Sequence, residues 1–339
     1  MNATLLLEKL IAGKDLSSEE ANWIMNGIMD GEIPKSQVAA ILTALRIKGE
    51  TITEIAECVR VMREKSTKIN VNYDLLLDTC GTGGDRSGSF NISTTVALLL
   101  AGGGYKIAKH GNRSMTSQSG SADLLEALGV NINLTTDQVA DCINQANIGF
   151  LFAPALHSAM KNVVPIRKEL AIRTIFNILG PLTNPAGANV QVIGLFTAAF
   201  IRPIINVLKE LGTKSAFVVS GEDGLDEVSI TAPSKVARLH QGGKIEEFRF
   251  DPKDYAYPLA TMDDIKGGTP QENAQITTEI LKGVKKGATR DIVAINAGFA
   301  IAAAESCSLK EAFQKAKTML DQGVGIVALE KLKQLSNSF

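Results

Sequence analysis

The chain has 339 residues, 45% of them hydrophobic, and its 35 Lys and Arg nearly balance its 36 Asp and Glu, leaving a formal net charge of −1. That length can bury a sizeable core and suits about two domains, and the charge balance argues against a general nucleic-acid binder held by a basic surface. The opening MNATLLLEKLIAGKDL lacks a basic start and a small-residue cleavage site, and the apolar run Val96 to Ala101 is far too short to span a bilayer, so neither a secretory signal nor a membrane span is expected.

Residues 3 to about 65 read as helices alone. Ser17 with Glu20 and Thr51 with Glu54 fit capping boxes, Pro34 suits a first turn and Gly49 a helix end. Val38, Ile41, Leu42 and Leu45 share one helical face, as do Ile55, Val59 and Met62. This predicts a small all-helical domain over 1–70, with apolar surface left to cover its neighbour or another subunit. From residue 74 onward, short apolar runs at 74–79, 105–109, 148–152, 190–196 and 214–220 alternate with helical patterns. That alternation predicts an α/β domain over 71–339, built on a mostly parallel central sheet wrapped by helices. Two runs flanking Gln241-Gly242-Gly243-Lys244 read as a β-hairpin over 235–250. Helical patterns return at roughly 270–282, 288–304, 308–322 and 325–335. Cys58, Cys80, Cys142 and Cys307 are scattered with no CxxC pair, which fits reduced thiols in a cytoplasmic protein. Cys80 reads as a small buried residue at a strand end rather than as a reactive thiol.

The chemistry concentrates in two loops. Residues 78–94 set Gly81, Gly83, Gly84 and Gly88 among polar residues directly after Leu75-Leu76-Leu77. Glycines let backbone N–H groups converge on an anion, and Asn91, Ser93 and Thr94 add donors at the start of the next helix. The loop is neither a Walker A sequence nor a dinucleotide fingerprint; taken alone, a flexible surface turn is its other reading. One α/β repeat later a second strand, polar loop and helix carry Lys109, Arg113, Ser117 and Ser121, which suit a polyanion, and Asn112, which donates and accepts. Loops at the carboxyl ends of neighbouring parallel strands share a crevice. Farther on, Asp226 and Glu227 offer hard oxygen ligands for Mg²⁺, or form a solvated acidic turn. Asp85 fits either that site or an Asx-type loop contact. Arg167 has the planar fork that matches a carboxylate, or pairs on a helix surface with Glu169.

The motifs GTGGD (81–85), FNIST (90–94), KHGNRS (109–114), SGSADLLEALG (119–129), the segment from His157 to Pro185, and GLDE (224–227) resemble, in order, those of the anthranilate phosphoribosyltransferases. Those enzymes join anthranilate to phosphoribosyl pyrophosphate and release pyrophosphate. The resemblance covers essentially the whole chain. It implies the nucleoside phosphorylase/phosphoribosyltransferase fold, a homodimer formed through the helical domain, an acceptor site between the domains, and Mg²⁺ as cofactor. It implies donor contacts from Gly81, Gly84, Asp85, Ser89, Asn91, Ile92, Ser93, Thr94, Lys109, His110, Gly111, Asn112, Arg113, Ser114, Met115, Thr116, Ser117 and Ser121. Anthranilate would meet Gly81, Asn112 and Arg167, and the metal Ser93, Asp226 and Glu227. No catalytic residue is expected beyond positioning and electrostatics: an arylamine is already neutral near pH 7, so His110 reads as an orienting histidine before a general base. The chain departs from the family at Arg86 to Ser89, at Ser158 where Pro is common, and at Ala171 where Gly is common. A pyrimidine nucleoside phosphorylase and a noncatalytic nucleic-acid-binding member of the same fold are the rival readings.

Overall fold

Four helices begin the chain, all but the third with a side-chain N-cap: α1 (Ala3–Ile11), α2 (Ser18–Asp30), α3 (Lys35–Lys48) and α4 (Ile52–Lys65). Both expected capping boxes form, Pro34 immediately precedes α3, and Gly49 ends it at φ +87°. Val38, Ile41, Leu42, Leu45, Ile55, Val59 and Met62 are all buried, in a cluster that continues into Ile204 and Leu208 of the α/β part. The computed structural model describes residues 1–85, 87–114 and 118–339.

The α/β part runs β1 (Leu77–Gly81), α5 (Ile92–Gly102), β2 (Ile107–Gly111), α6 (Ser121–Ala127), α7 (Thr136–Ala146) and β3 (Ile148–Phe152). Three short helices follow, α8 (Ala153–Leu156), α9 (Val164–Leu170) and α10 (Phe176–Leu179), in a segment where the sequence suggests a helix only as one reading around Arg167. Then come β4 (Val190–Gly194), α11 (Ile201–Glu210), β5 (Ser215–Gly221), β6 (Ser234–Leu239) and β7 (Ile245–Phe250). The chain closes with α12 (Pro270–Leu281), α13 (Ala288–Glu305), α14 (Leu309–Asp321) and α15 (Val324–Ser336). The strands form one sheet in the order β3-β2-β1-β4-β5-β6-β7. Its first five members are parallel, and β5-β6-β7 are antiparallel, with β6 and β7 as the expected hairpin.

That order reverses direction between β1 and β4: the chain steps outward through β2 and β3, then restarts on the other side. Such a switch point opens a crevice at the carboxyl ends of the two strands, and here Gly81 of β1 sits opposite Gly194 of β4. The first strand starts later than the apolar run suggested. The reason is Asn189, whose side chain accepts from Leu76 N and donates to Asp74 O at 3.0 Å each, so an amide holds residues 74–76 in place of a ladder. Hydrophobic cores lie on both faces, one around α5 and α13, the other around α11 and the N-terminal helices. No helix among the described residues is long and apolar enough to cross a membrane.

Candidate active site

The acidic turn after β5 descends onto the glycine loop. A Cβ on Gly194 would lie 1.6 Å from the Asp226 carbonyl oxygen, and one on Gly81 would lie 2.2 Å from the Asp226 carboxylate. Only glycine permits that approach. Asp226 accepts from Gly83 N at 2.6 Å, and its own N–H points to the Asp85 carboxylate at 3.5 Å. Asp85 also accepts from Ser87 N at 3.3 Å, so it makes the Asx-type contact and faces the acidic turn as well.

Asp226 and Glu227 line the crevice, partly open to solvent but surrounded by protein. Desolvation, then the neighbouring Asp85 and Glu227, push Asp226 well above the usual carboxylate range. Desolvation carries Glu227 up to about 7, against the pull of Lys109 and the donors of Ser93 and with the push of Asp85. Two raised carboxylates with a third beside them form a site short of positive charge, and a divalent cation with oxygen ligands supplies it. Ser93 adds a hydroxyl beside Glu227. Among the described residues no group of three or more His, Cys, Asp or Glu encloses an ion alone. The donor set therefore fits Mg²⁺, which keeps several waters and draws oxygens from a polyphosphate.

Lys109 lies beneath this corner, 2% exposed on β2. Its ammonium donates to the Thr79 carbonyl and lies 3.4 Å from Ser93 Oγ. The buried Asp78 accepts from His110 N at 3.3 Å and Asn184 Nδ2 at 2.8 Å; burial raises its pKa and Lys109 pulls it back. Cys80 is buried, its thiol pushed well up by desolvation, as the bland reading required. His110 packs against His157, Nε2 to Nε2 at 3.3 Å. Desolvation, then His157 and Lys109, bring His110 down to about 3, and desolvation with Lys68 brings His157 to about 4. Both imidazoles are neutral at pH 7.

The second loop is tied to itself and to α6. Asn112 N donates to Ser121 Oγ at 3.1 Å and Ser121 Oγ donates back to Asn112 O at 3.2 Å, while Asn112 Oδ1 accepts from Arg113 N at 2.7 Å. Arg113 pairs with Asp123 at 3.0 Å and forks onto both oxygens of Glu126. Ser114 N donates to Asp123 at 3.1 Å. Gly111, which ends β2, packs against Ser121, Ile92 and Thr94 are buried at the start of α5, and Ser89 Oγ accepts from Ser87 Oγ at 3.1 Å. Asn91 stands before α5, yet its side chain makes no cap bond. Met115, Thr116 and Ser117 lie outside the described residues, as does Arg86.

Arg167, on α9, stacks over Phe176 at 5.6 Å, and burial lowers its pKa with no opposing carboxylate. The alternative pairing with Glu169 does not occur. Sequence reasoning passed over three neighbours. His157 meets His110, Asn184 holds Asp78, and Arg173 donates to the Gly84 carbonyl at 2.6 Å while stacking over Phe196 at 3.7 Å. All three belong to the 157–185 motif, the only signal that could have found them. His240 pairs with Glu246 on the hairpin at 2.8 Å, away from the crevice.

A curated anthranilate phosphoribosyltransferase of Symbiobacterium thermophilum is 46% identical over 98% of this chain and 97% of its own length, and that of Alkaliphilus metalliredigens is 47% identical over 97% and 96%. The chain belongs to the anthranilate phosphoribosyltransferase family. The family's broader description agrees: a model of the glycosyl transferase family a/b domain matches residues 73–326, and one of its helical bundle domain matches residues 4–66. Among solved structures, the family's enzyme from Thermus thermophilus superposes with a TM-score of 0.93 at 40% identity, covering 99% of this chain and all of its own. The Saccharomyces cerevisiae enzyme in complex with PRPP and Mg superposes at 0.90 with 28% identity, covering 100% of this chain and 99% of its own.

Proposed function

We propose that the chain transfers the phosphoribosyl group of 5-phosphoribosyl 1-pyrophosphate to the amine of anthranilate, giving N-(5-phosphoribosyl)anthranilate and pyrophosphate in tryptophan biosynthesis. The observation that carries this reading is the meeting, at the β1/β4 switch point, of a glycine loop, a buried lysine and a carboxylate cluster short of positive charge. Such a corner suits a polyphosphate that arrives with a divalent cation. The Gly84 and Asp85 end of the glycine loop, whose Thr82 and Gly83 N–H groups are taken by Gly194 and Asp226, faces the pyrophosphate together with side chains at the start of α5, and Lys109 with the loop through Ser121 faces the ribose phosphate. Asp226, Glu227 and Ser93 would hold Mg²⁺, which would supply positive charge against the pyrophosphate.

Anthranilate's carboxylate meets Arg167, whose guanidinium stacks over Phe176 but has no ion-pair partner among the described residues, and Asn112 and Gly81 lie toward the ring's other groups. The amine attacks the anomeric carbon with its own lone pair as the bond to pyrophosphate oxygen breaks, and the proton that the new C–N bond makes acidic passes to the departing pyrophosphate or to water. The neutral His110–His157 pair orients and does not abstract a proton, since groups with such low pKa values are poor bases at pH 7. Rate enhancement then rests on positioning and on electrostatic stabilisation of the leaving group. The acceptor enters between a helical domain over 1–70 and the α/β domain over 71–339. Exposed Leu5, Ile11 and Ile47 support pairing of the helical domain with a second copy, and four free cysteines support a reducing cytoplasm. Following the loss of anthranilate fluorescence with phosphoribosyl pyrophosphate and Mg²⁺ tests the reaction; folded protein that leaves anthranilate untouched would overturn it.

A further inference from the structure

Asn91 caps nothing on its own helix. Its carbonyl accepts from Thr95 N at 3.1 Å and Thr95 Oγ1 at 3.0 Å in the ordinary way, but its side chain turns outward from α5. Nδ2 donates to Ser119 O at 3.0 Å, and Oδ1 accepts from Ser119 Oγ at 3.0 Å and from Asn273 Nδ2 at 2.9 Å. Ser119 closes the second loop just before α6. Asn273 comes from the first turn of α12, is 2% exposed, and accepts from Gly268 N at 2.8 Å.

The strand-like stretch before α12 runs beside the glycine loop. Phe90 N donates to Ile265 O at 3.2 Å, Gly267 N donates to Gly88 O at 2.8 Å, and Ser89 bridges Lys266. A Cβ on Gly267 would lie 2.7 Å from Asn273 Oδ1 and 2.8 Å from Phe90 N, so the three segments are in close contact. Deeper in, Thr95 and Thr277 hydroxyls meet at 2.9 Å, and α12 packs on both α5 and α6. A contact needed only for packing would be apolar, because a buried amide costs free energy unless its hydrogen bonds are met. Here the Asn273 amide donates to Asn91 at the end of the glycine loop, Asn91 in turn holds Ser119 at the end of the second loop, and the remaining Asn273 acceptor takes the Gly268 N–H.

We infer that Asn273 is a positioning residue for the phosphoribosyl donor, setting the distance between the glycine loop and the second loop through Asn91 and Ser119. This rests on the reading that those loops bind the donor. Arg167, the acceptor's charged contact, sits on α9 outside the network while only Gly81 and Asn112 of the acceptor's contacts lie on the loops, so loosening the network weakens the donor's binding far more than the acceptor's.

The test compares Asn273→Ala, Asn273→Leu, Ser119→Ala and the Asn273→Ala/Ser119→Ala double variant in steady-state kinetics, with amide hydrogen exchange on each. Asn273→Leu fills a similar volume without a hydrogen bond, and Ser119→Ala reads the same tie should the other variants not fold. Each single variant is expected to raise the donor KM about tenfold, with the anthranilate KM within about twofold. Because all act through one amide, the double variant falls well short of the product of the singles. Exchange quickens over residues 87–95 and 118–124 and stays unchanged in α13. Equal losses for both substrates, multiplicative effects, or an Asn273→Leu enzyme with the native donor KM and exchange would overturn the inference. A wild-type chain that does not turn over would instead count against the proposed reaction, and the exchange experiment would still read the tie.

Discussion

The two loops that share the crevice treat charge in opposite ways. In the second loop, protein meets protein: Arg113 is pinned by Asp123 and Glu126, and Asn112 and Ser121 satisfy each other. Around the first loop, Asp85 crowds Asp226 and Glu227 and helps push both above the usual carboxylate range, while among the described residues Lys109 pulls Glu227 back. A charge already paired marks scaffold, and a charge left short marks where a ligand must arrive. Arg167 is the same case with the opposite sign.

Removing the unbalanced carboxylates should have the largest effect. Asp226→Asn with Glu227→Gln is expected to lower turnover on the order of a hundredfold or more, since a metal clamp supplies several kcal/mol of charge stabilisation. The same variant should melt no lower than wild type near pH 7, because it relieves repulsion instead of breaking a pair. A melting temperature that falls together with activity, or a Mg²⁺ dependence left intact, would make the acidic turn part of the scaffold. Arg167→Ala comes next. Loss of one charge-assisted pair to a carboxylate costs roughly 1.5–3 kcal/mol, or about ten- to a hundredfold in kcat/KM for anthranilate, with the donor KM little changed. Equal loss for both substrates would assign Arg167 to the fold.

The histidine pair extends the comparison to pH. Both rings have folded-state pKa values, about 3 and about 4, below the ordinary 6.5. Above pH 6.5 neither state is protonated and the pair is neutral to stability. As pH falls below 6.5 the unfolded chain takes up protons that the folded chain refuses, so stability drops by up to roughly 1.4 kcal/mol per pH unit per histidine until the folded values are reached. Chemical denaturation between pH 7 and 4 should show a slope that His110→Gln with His157→Gln makes shallower. An unaltered slope would mean that the rings are charged or solvated in the folded state.

What could be read from the amino-acid order was whatever a short span of chain decides. Capping boxes, the hairpin turn and the four C-terminal helices all follow from periodicity and local chemistry, and all form. The glycine loop, Lys109 and the acidic turn were legible as residue types, because glycine and charge in those patterns have few uses. Partners were not legible. Arg113 suits a phosphate until α6 brings Glu126 to it thirteen residues later, and the Asn273 amide reaches Asn91 across 182 residues. Arg173 illustrates the same limit: no period marks a guanidinium that reaches from the turn between α9 and α10 to hold the Gly84 carbonyl. Of the short helices between β3 and β4, only the one around Arg167 was suggested, because four- to seven-residue turns carry too little periodicity to register.

The smallest expected effect tests how far the acceptor side tolerates strain. Ala171 caps α9 in the left-handed region at φ +51°, its N–H bonded to Arg167 O at 3.1 Å. Gly31 does the same for α2 at φ +75° without a Cβ. A non-glycine residue there costs about 1–2 kcal/mol, and glycine returns roughly 0.4–1 kcal/mol of that through the freedom it adds to the unfolded chain. Ala171→Gly should therefore stabilise the protein by about 0.5–1 kcal/mol, a rise in melting temperature of only about 1–3 °C in a chain of this size. The cap holds the last turn of the helix that carries Arg167, which gives the variant a second readout. If the cap merely ends the helix, the anthranilate KM stays put. A rise in that KM at higher stability would show that the strained alanine helps aim the guanidinium, and the acceptor site would then depend on tension where the donor site depends on unbalanced charge.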